Sequence, residues 1–275
     1  MFSLAGKTVV VTGGGKGIGL GISTRMALAG ANVVMTGRSL PALEAAAAGL
    51  GDQGAKALPV QADLTDSADT ARVVRSALDA FGRIDGWVNN AGSASPDDVG
   101  PLIDIREDQW DRVVDLNLKW TFFAAQAAAR AMEHGGSIVN ITSRSASYAN
   151  PRTGHYGAAK AAMENLTLTM AAEWGHRGIR VNAVAPGVVL TEELAKALNT
   201  EERLRKQTEL VPLQRLGCPD DIAGLCVYLV SDASAWTSGA LIPVHGGSPI
   251  PFGYVSYLRH ANRHGDTKRG EHGAI

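Results

Sequence analysis

The stretch that most constrains this fold is a short apolar run that ends in glycines. Residues 7–12 read Lys-Thr-Val-Val-Val-Thr, rich in β-branched side chains. Gly13-Gly14-Gly15-Lys16-Gly17-Ile18-Gly19 follows, and then a helical pattern to about Ala29. The β-branched run predicts a buried parallel strand. A strand, a Gly-rich turn and a helix in that order make a phosphate cradle. Without side chains in the way, backbone N–H groups can approach a pyrophosphate at the helix N-terminus. The opposing reading is a tight turn with no ligand.

The same alternation continues along the chain. Strands are expected at 32–36, 55–61, 84–88, 137–142, 179–185 and 240–244, and helices at 42–49, 67–81, 107–132, 158–174 and 219–229. The helix at 67–81 places Ala71, Val74, Leu78 and Phe81 at three- and four-residue spacing. Two short helices at 188–198 and 201–210, between two strands, form a candidate lid. Strands alternating with helices predict an α/β fold: a Rossmann-type doubly wound parallel sheet of about seven strands, with helices on both faces. No internal repeat is visible, so residues 1–248 read as one dinucleotide-binding and catalytic domain. Residues 249–275 read as a polar C-terminal tail.

Composition excludes more than it selects. A chain of 275 residues is long enough to bury roughly 75% of its unfolded surface in one core. Twenty-six basic and 27 acidic residues leave a net charge of −1, which gives no sign of nucleic-acid or anionic-membrane binding. No apolar run reaches the roughly 18 residues of a membrane span. The first residues lack a basic start followed by an apolar signal core, so a reducing, cytoplasmic setting is the default expectation. Cys218 and Cys226 are too few for a disulfide framework and are read as small buried residues. His260, His264 and His272 in the tail are too scattered to make a metal site, and no metal is expected.

Chemistry-bearing residues stand at expected strand ends, where open α/β sheets bind ligands. Gly37-Arg38-Ser39 follows the second strand. An acidic residue there would take the adenosine ribose hydroxyls, whereas an Arg accommodates a 2′-phosphate. Arg38, with Lys16 as a second positive charge, points to NADP; the alternative for each is a solvated loop residue. Ala62-Asp63-Leu64 follows the third strand. Asp63 either accepts from an adenine amino group or shapes the turn. Asn89-Asn90-Ala91-Gly92 ends the fourth, with small and amide residues suited to close ligand contact. Asn117, inside a long apolar helix, is either a satisfied structural amide or part of a polar relay. Ser143 ends the fifth strand.

Tyr156 and Lys160 lie thirteen and seventeen residues beyond Ser143. Four-residue spacing puts them on one helix face, roughly 5–6 Å apart at Cβ. A phenol ionises near pH ~10, too high for proton exchange at neutrality, and a nearby cation lowers that value. The pair is a candidate acid/base couple. Chance sharing of a helix face is the alternative for that spacing taken alone.

Taken together, these residues resemble the short-chain dehydrogenase/reductase family in its compact branch of about 250 residues, over roughly residues 6–247. Thr12-Gly13-x-x-x-Gly17-x-Gly19 resembles its cofactor turn, and Asn89-Asn90-Ala91-Gly92 its fourth-strand motif. Asn117, Ser143, Tyr156 and Lys160 match its four catalytic positions in order. Pro186-Gly187, with Val189 and Thr191, resembles the segment that contacts the nicotinamide amide. Two departures stand out: Val244-His245-Gly246-Gly247 where the family often has Val-Asp-Gly-Gly, and Ala159 where Ser commonly precedes the Lys.

The resemblance implies hydride transfer between NADP(H), or NAD(H), and a small-molecule carbonyl or secondary alcohol. Gly13, Gly15, Lys16, Gly17, Ile18, Gly19, Arg38, Asp63, Leu64, Asn90, Ala91, Gly92, Tyr156, Lys160, Pro186, Gly187, Val189 and Thr191 would hold the cofactor. Tyr156 would donate a proton, Ser143 would fix the carbonyl oxygen, Lys160 would lower the Tyr pKa and hold the ribose, and Asn117 would position a water. Frequency within the family favours a 3-oxoacyl thioester reductase. An NAD-dependent alcohol or hydroxysteroid dehydrogenase, a lyase or epimerase, and a non-catalytic NADP-binding sensor are the alternatives. Arg144 and Arg152 could bind a carboxylate or a carrier phosphate, or be structural. A homotetramer assembled on the helices at 107–132 and 158–174 is expected.

Overall fold

The computed structural model describes residues 2–52 and 54–247. Among the described residues seven strands form one sheet: β1 (Thr8–Thr12), β2 (Asn32–Gly37), β3 (Ala57–Gln61), β4 (Gly86–Asn89), β5 (Gly136–Ile141), β6 (Ile179–Pro186) and β7 (Leu241–Val244). Their spatial order is β3-β2-β1-β4-β5-β6-β7, and every neighbouring pair is parallel. The order reverses between β1 and β4. The crevice outside the carboxyl ends at that point is where such sheets bind ligands.

Strand periodicity divides the core in two. Val9 and Val11 of β1 point into one layer with Val33, Met35, Val139, Ile141 and Val184. Val10 points into the other with Val34, Trp87, Ile138 and Val181. Helices α1 (Gly17–Leu28), α2 (Leu40–Gly51) and α9 (Pro219–Val230) cover the first layer with Ile22, Met26, Leu43, Leu50, Ile222 and Cys226. Helices α3 (Ser67–Phe81), α5 (Trp120–Ala131) and α6 (Gly154–Trp174) cover the second with Val73, Ala124, Ala128, Met163 and Met170. Both faces of every central strand are therefore buried, which is why the strands read as unbroken apolar runs.

Three elements differ from expectation. The helix foreseen over 107–132 is α4 (Glu107–Val114), a π-helical turn over Asp115–Lys119, and α5. Helix α6 begins at Gly154, four residues before its expected start, so Tyr156 lies within its first turn. The candidate lid is helical only in α7 (Glu192–Ala197) and α8 (Glu201–Thr208). Its first residues are held in a bridge instead: the Leu190 amide donates to Gly217 O at 2.7 Å, and the Gly217 amide to Val188 O at 3.0 Å. Cys226 is buried as expected, but Cys218 is exposed, because it caps the N-terminus of α9. The tail from 249 onward, with its three histidines, lies outside the described residues.

Candidate active site

Thr12 ties the crevice together. Its hydroxyl accepts from the backbone amides of Asn90 and Ala91, both at 2.9 Å. The Asn90 amide donates back to Thr12 O at 2.9 Å and Gly13 O at 3.3 Å. The glycine turn is thereby clamped to the end of β4. A Cβ on Gly19 would come within 2.0 Å of Gly13 O and 2.5 Å of Asn90 Nδ2, so only glycine fits there. On the other side of the turn, a Cβ on Gly17 would meet Thr191 Cγ2 at 3.3 Å. Thr191 in turn caps α7, its hydroxyl accepting from the Leu194 amide. The structure thus brings the turn 13–19, Asn90, Ala91 and Thr191 to one groove. Pro186 closes β6, and the Gly187 amide is held by Val244 O at 2.9 Å.

Arg38 lies exposed just beyond β2, its carbonyl held by Gln61 Nε2 at 2.9 Å. Its guanidinium has no hydrogen-bond or ion-pair partner among the described residues. Lys16 is also exposed, but it pairs with Glu193 of α7 across the groove. The Asp63 carboxylate closes its own turn, accepting from Thr65 N at 3.0 Å and Thr65 Oγ1 at 2.8 Å. Leu64 beside it is buried.

The Tyr156–Lys160 pair sits at the ends of β4 and β5. Lys160 is 3% exposed, and its ammonium donates to Ile141 O at 3.0 Å. It lies 5.6 Å from the Tyr156 ring centre. Burial lowers Lys160 from an ordinary value of 10.5 to about 8. The sequence expectation had the ammonium lowering the phenol. In the protein alone the phenol moves the other way: burial raises Tyr156, and its hydrogen bond with Ser143 only partly opposes that. Desolvation of the phenolate is the larger effect here.

Asn117 is fully buried in the π turn. Its amide donates to Val113 O and Ser93 O, both at 2.9 Å, and this fixes the loop after β4. Among the described residues its buried Oδ1 has no partner. That oxygen would lie 2.5 Å from a Cβ on Gly92, and the Lys160 ammonium 3.1 Å from the same point. Gly92 thus leaves a gap between an orphaned acceptor and a buried cation. Such a buried orphan calls for a water or ligand.

A polar chain beneath the site was not foreseen. Trp87 Nε1 donates to Asn89 Oδ1 at 2.7 Å, Asn89 Nδ2 to Asn140 Oδ1 at 2.9 Å, and Asn140 Nδ2 to Thr167 Oγ1 at 2.9 Å. It pins α6, and with it Tyr156 and Lys160, to β4 and β5. Asn at alternate strand positions was its only sequence signal. Thr12, foreseen as a strand residue, was likewise missed as the clamp of the crevice.

Comparison with known proteins decides the family. A family model described as enoyl-(acyl carrier protein) reductase matches residues 13–248. The chain is a short-chain dehydrogenase/reductase. It is 37% identical to 2-(S)-hydroxypropyl-CoM dehydrogenase 3 of Xanthobacter autotrophicus, over 89% of this chain and 97% of that one. It is 36% identical to the 3-oxoacyl-[acyl-carrier-protein] reductase of a Synechocystis strain, over 90% and 98%. A short-chain type dehydrogenase/reductase from Mycobacterium marinum superposes with a TM-score of 0.85 at 36% identity, covering 91% of this chain and 98% of its own. This short-chain dehydrogenase/reductase is accordingly an oxidoreductase of alcohol and carbonyl groups, and its family uses NAD(H) or NADP(H). No described helix is long and apolar enough to cross a membrane.

Proposed function

We propose that this chain is an NADP(H)-dependent ketoreductase, with residues 1–248 as its dinucleotide-binding and catalytic domain. The observation that carries the reading is the meeting of Lys160 and the orphaned Asn117 Oδ1 around Gly92, with the Tyr156 ring beside that ammonium. The residues present fit a dinucleotide. The turn 13–19 excludes any side chain at Gly19, and Ile18 packs into the core behind it. Gly15, Gly17, Asn90, Ala91, Gly92, Pro186, Gly187, Val189 and Thr191 would line its path, with Asp63 and Leu64 at the adenine end. Arg38, after a Gly37 that offers no carboxylate, favours a 2′-phosphate over free ribose hydroxyls. Lys16 would join it on leaving Glu193.

When bound, the dinucleotide supplies the hydride to a carbonyl carbon, or takes it from an alcohol. Tyr156 gives its phenolic proton to the developing alkoxide. Ser143, bonded to that phenol, directs the same oxygen. At pH 7 a Lys160 with a pKa of about 8 is mostly protonated, so its ammonium stabilises the phenolate left behind. Asn117 Oδ1 holds the water through which the proton is restored. The substrate is a ketone, with a 3-oxoacyl thioester the first class to try, like that named for the Synechocystis relative. The exposed Trp110, Phe123 and Leu168 favour assembly as a homotetramer, and a cytoplasmic setting agrees with the chain's composition.

The test is initial rates of NADPH and NADH oxidation over 3-oxoacyl thioesters, cyclic ketones, ketosteroids and quinones. Stoichiometric NADPH consumption with one class supports the reading. Equal use of NADH would remove the Arg38 argument and favour an NAD-dependent alcohol or hydroxysteroid dehydrogenase.

A further inference from the structure

His155 precedes Tyr156 in the first turn of α6, and the mechanism above leaves it unused. Its side chain is fully buried, and among the described residues neither ring nitrogen has a hydrogen-bond partner. Buried polar atoms are rarely left that way. What the ring does have is a flat neighbour. It stacks on Trp110 of α4, with ring centres 6.2 Å apart and planes inclined by 26°. That separation lies within the range of favourable aromatic pairs.

The stack joins the two elements that carry the proton-transfer groups. Helix α4 runs directly into the π turn that holds Asn117. Helix α6 carries Tyr156 and Lys160 and packs against both. The cap does not fix the start of α6, because the Thr153 side chain makes no capping bond to the helix. The first turn also bears on the turn after Ser143: a Cβ on Gly157 would come within 2.8 Å of Ser145 O. A small tilt of that first turn therefore shifts Tyr156 against Ser143, and Lys160 against Asn117 Oδ1.

We infer that His155 is a positioning residue that works through its ring face: stacked on Trp110, it sets the register between α4 and α6, and so the placing of Tyr156 and Lys160, while its nitrogens take no part. This rests on the ketoreductase reading and deepens it at the same site. Phenylalanine keeps a flat ring there and removes two buried polar atoms. Asparagine keeps polar atoms and removes the ring.

The experiment uses the wild type, His155→Phe and His155→Asn, at a temperature where circular dichroism shows each to be folded. It measures melting temperature, kcat, and KM for NADPH, with the ketone of the panel above that the wild type reduces fastest. His155→Phe should hold kcat within about threefold of wild type and melt no lower. His155→Asn should lose at least about tenfold in kcat, with KM for NADPH within about twofold, because a misplacement near 1 Å costs that much or more. A Phe variant that loses as much kcat as the Asn variant would show that a ring nitrogen is used. An Asn variant that melts lower with kcat unchanged would make His155 merely structural. Either result overturns the inference. If the Asn variant does not fold, the Phe variant still decides between ring face and nitrogens. A wild type that reduces none of the ketones would overturn the ketoreductase reading and this role with it, whereas an active wild type confines the failure to His155.

Discussion

Lys160 carries its charge into a place where burial disfavours it. Its pKa is about 8 in the folded chain against an ordinary 10.5. Between those values the unfolded chain binds more protons than the folded one, so this residue's contribution makes the protein more stable as pH rises. Below about pH 8 the full penalty stands, roughly 3 kcal/mol. Lys160→Met removes the penalty and loses one hydrogen bond to Ile141 O, worth about 1 kcal/mol. In the dinucleotide-free protein the Met variant should therefore melt higher than wild type at pH 7. The gap should shrink toward pH 10, while activity is lost. Paired thermal melts across that range check it; a Met variant less stable at pH 7 would contradict it. The Tyr-x-x-x-Lys spacing was legible because helix geometry is local. The direction of the Tyr156 shift was not, since it depends on burial by residues far away in sequence.

At the scale of elements, the site depends on the π turn and on the polar chain under α6. The π turn adds a residue to α4–α5 without a Gly or Pro to announce it, so apolar periodicity read straight through 107–132. It turns Asn117 toward Gly92 and Lys160. The early start of α6 was hidden by Pro151 and Gly154, which read as loop punctuation. The α/β alternation itself was legible because each strand is buried on both faces. Asn140 links three elements, and its loss strands the Asn89 Nδ2 in the core, while the Thr167 hydroxyl keeps its bond to Met163 O. Asn140→Ala should destabilise the fold by roughly 2–4 kcal/mol. Denaturant unfolding measures this; a change below about 0.5 kcal/mol would mean the chain does not hold α6.

For the whole molecule, the reversal of strand order between β1 and β4 gathers groups from residue 12 to residue 191 into one crevice. The glycine turn and strand ends were legible as motifs. The Lys16–Glu193 pair was not, because it joins residues 177 apart. If Arg38 reads a 2′-phosphate, Arg38→Ala should raise KM for NADPH about tenfold or more and leave KM for NADH within about twofold. Equal changes for both would show that Arg38 does not discriminate. The apolar faces of α4, α5 and α6 are expected to be covered in a tetramer; light scattering at micromolar concentration should return four times the chain mass, and a monomer mass would refute it.

The most direct measurement is single-turnover ketone reduction by Tyr156→Phe, alongside its dissociation constant for NADPH. The variant loses only the phenolic oxygen, so NADPH binding should stay within about threefold of wild type. The rate of reduction should fall by at least about two orders of magnitude. A Phe variant that binds NADPH normally and reduces ketones at near wild-type rate would show that Tyr156 is not the proton donor.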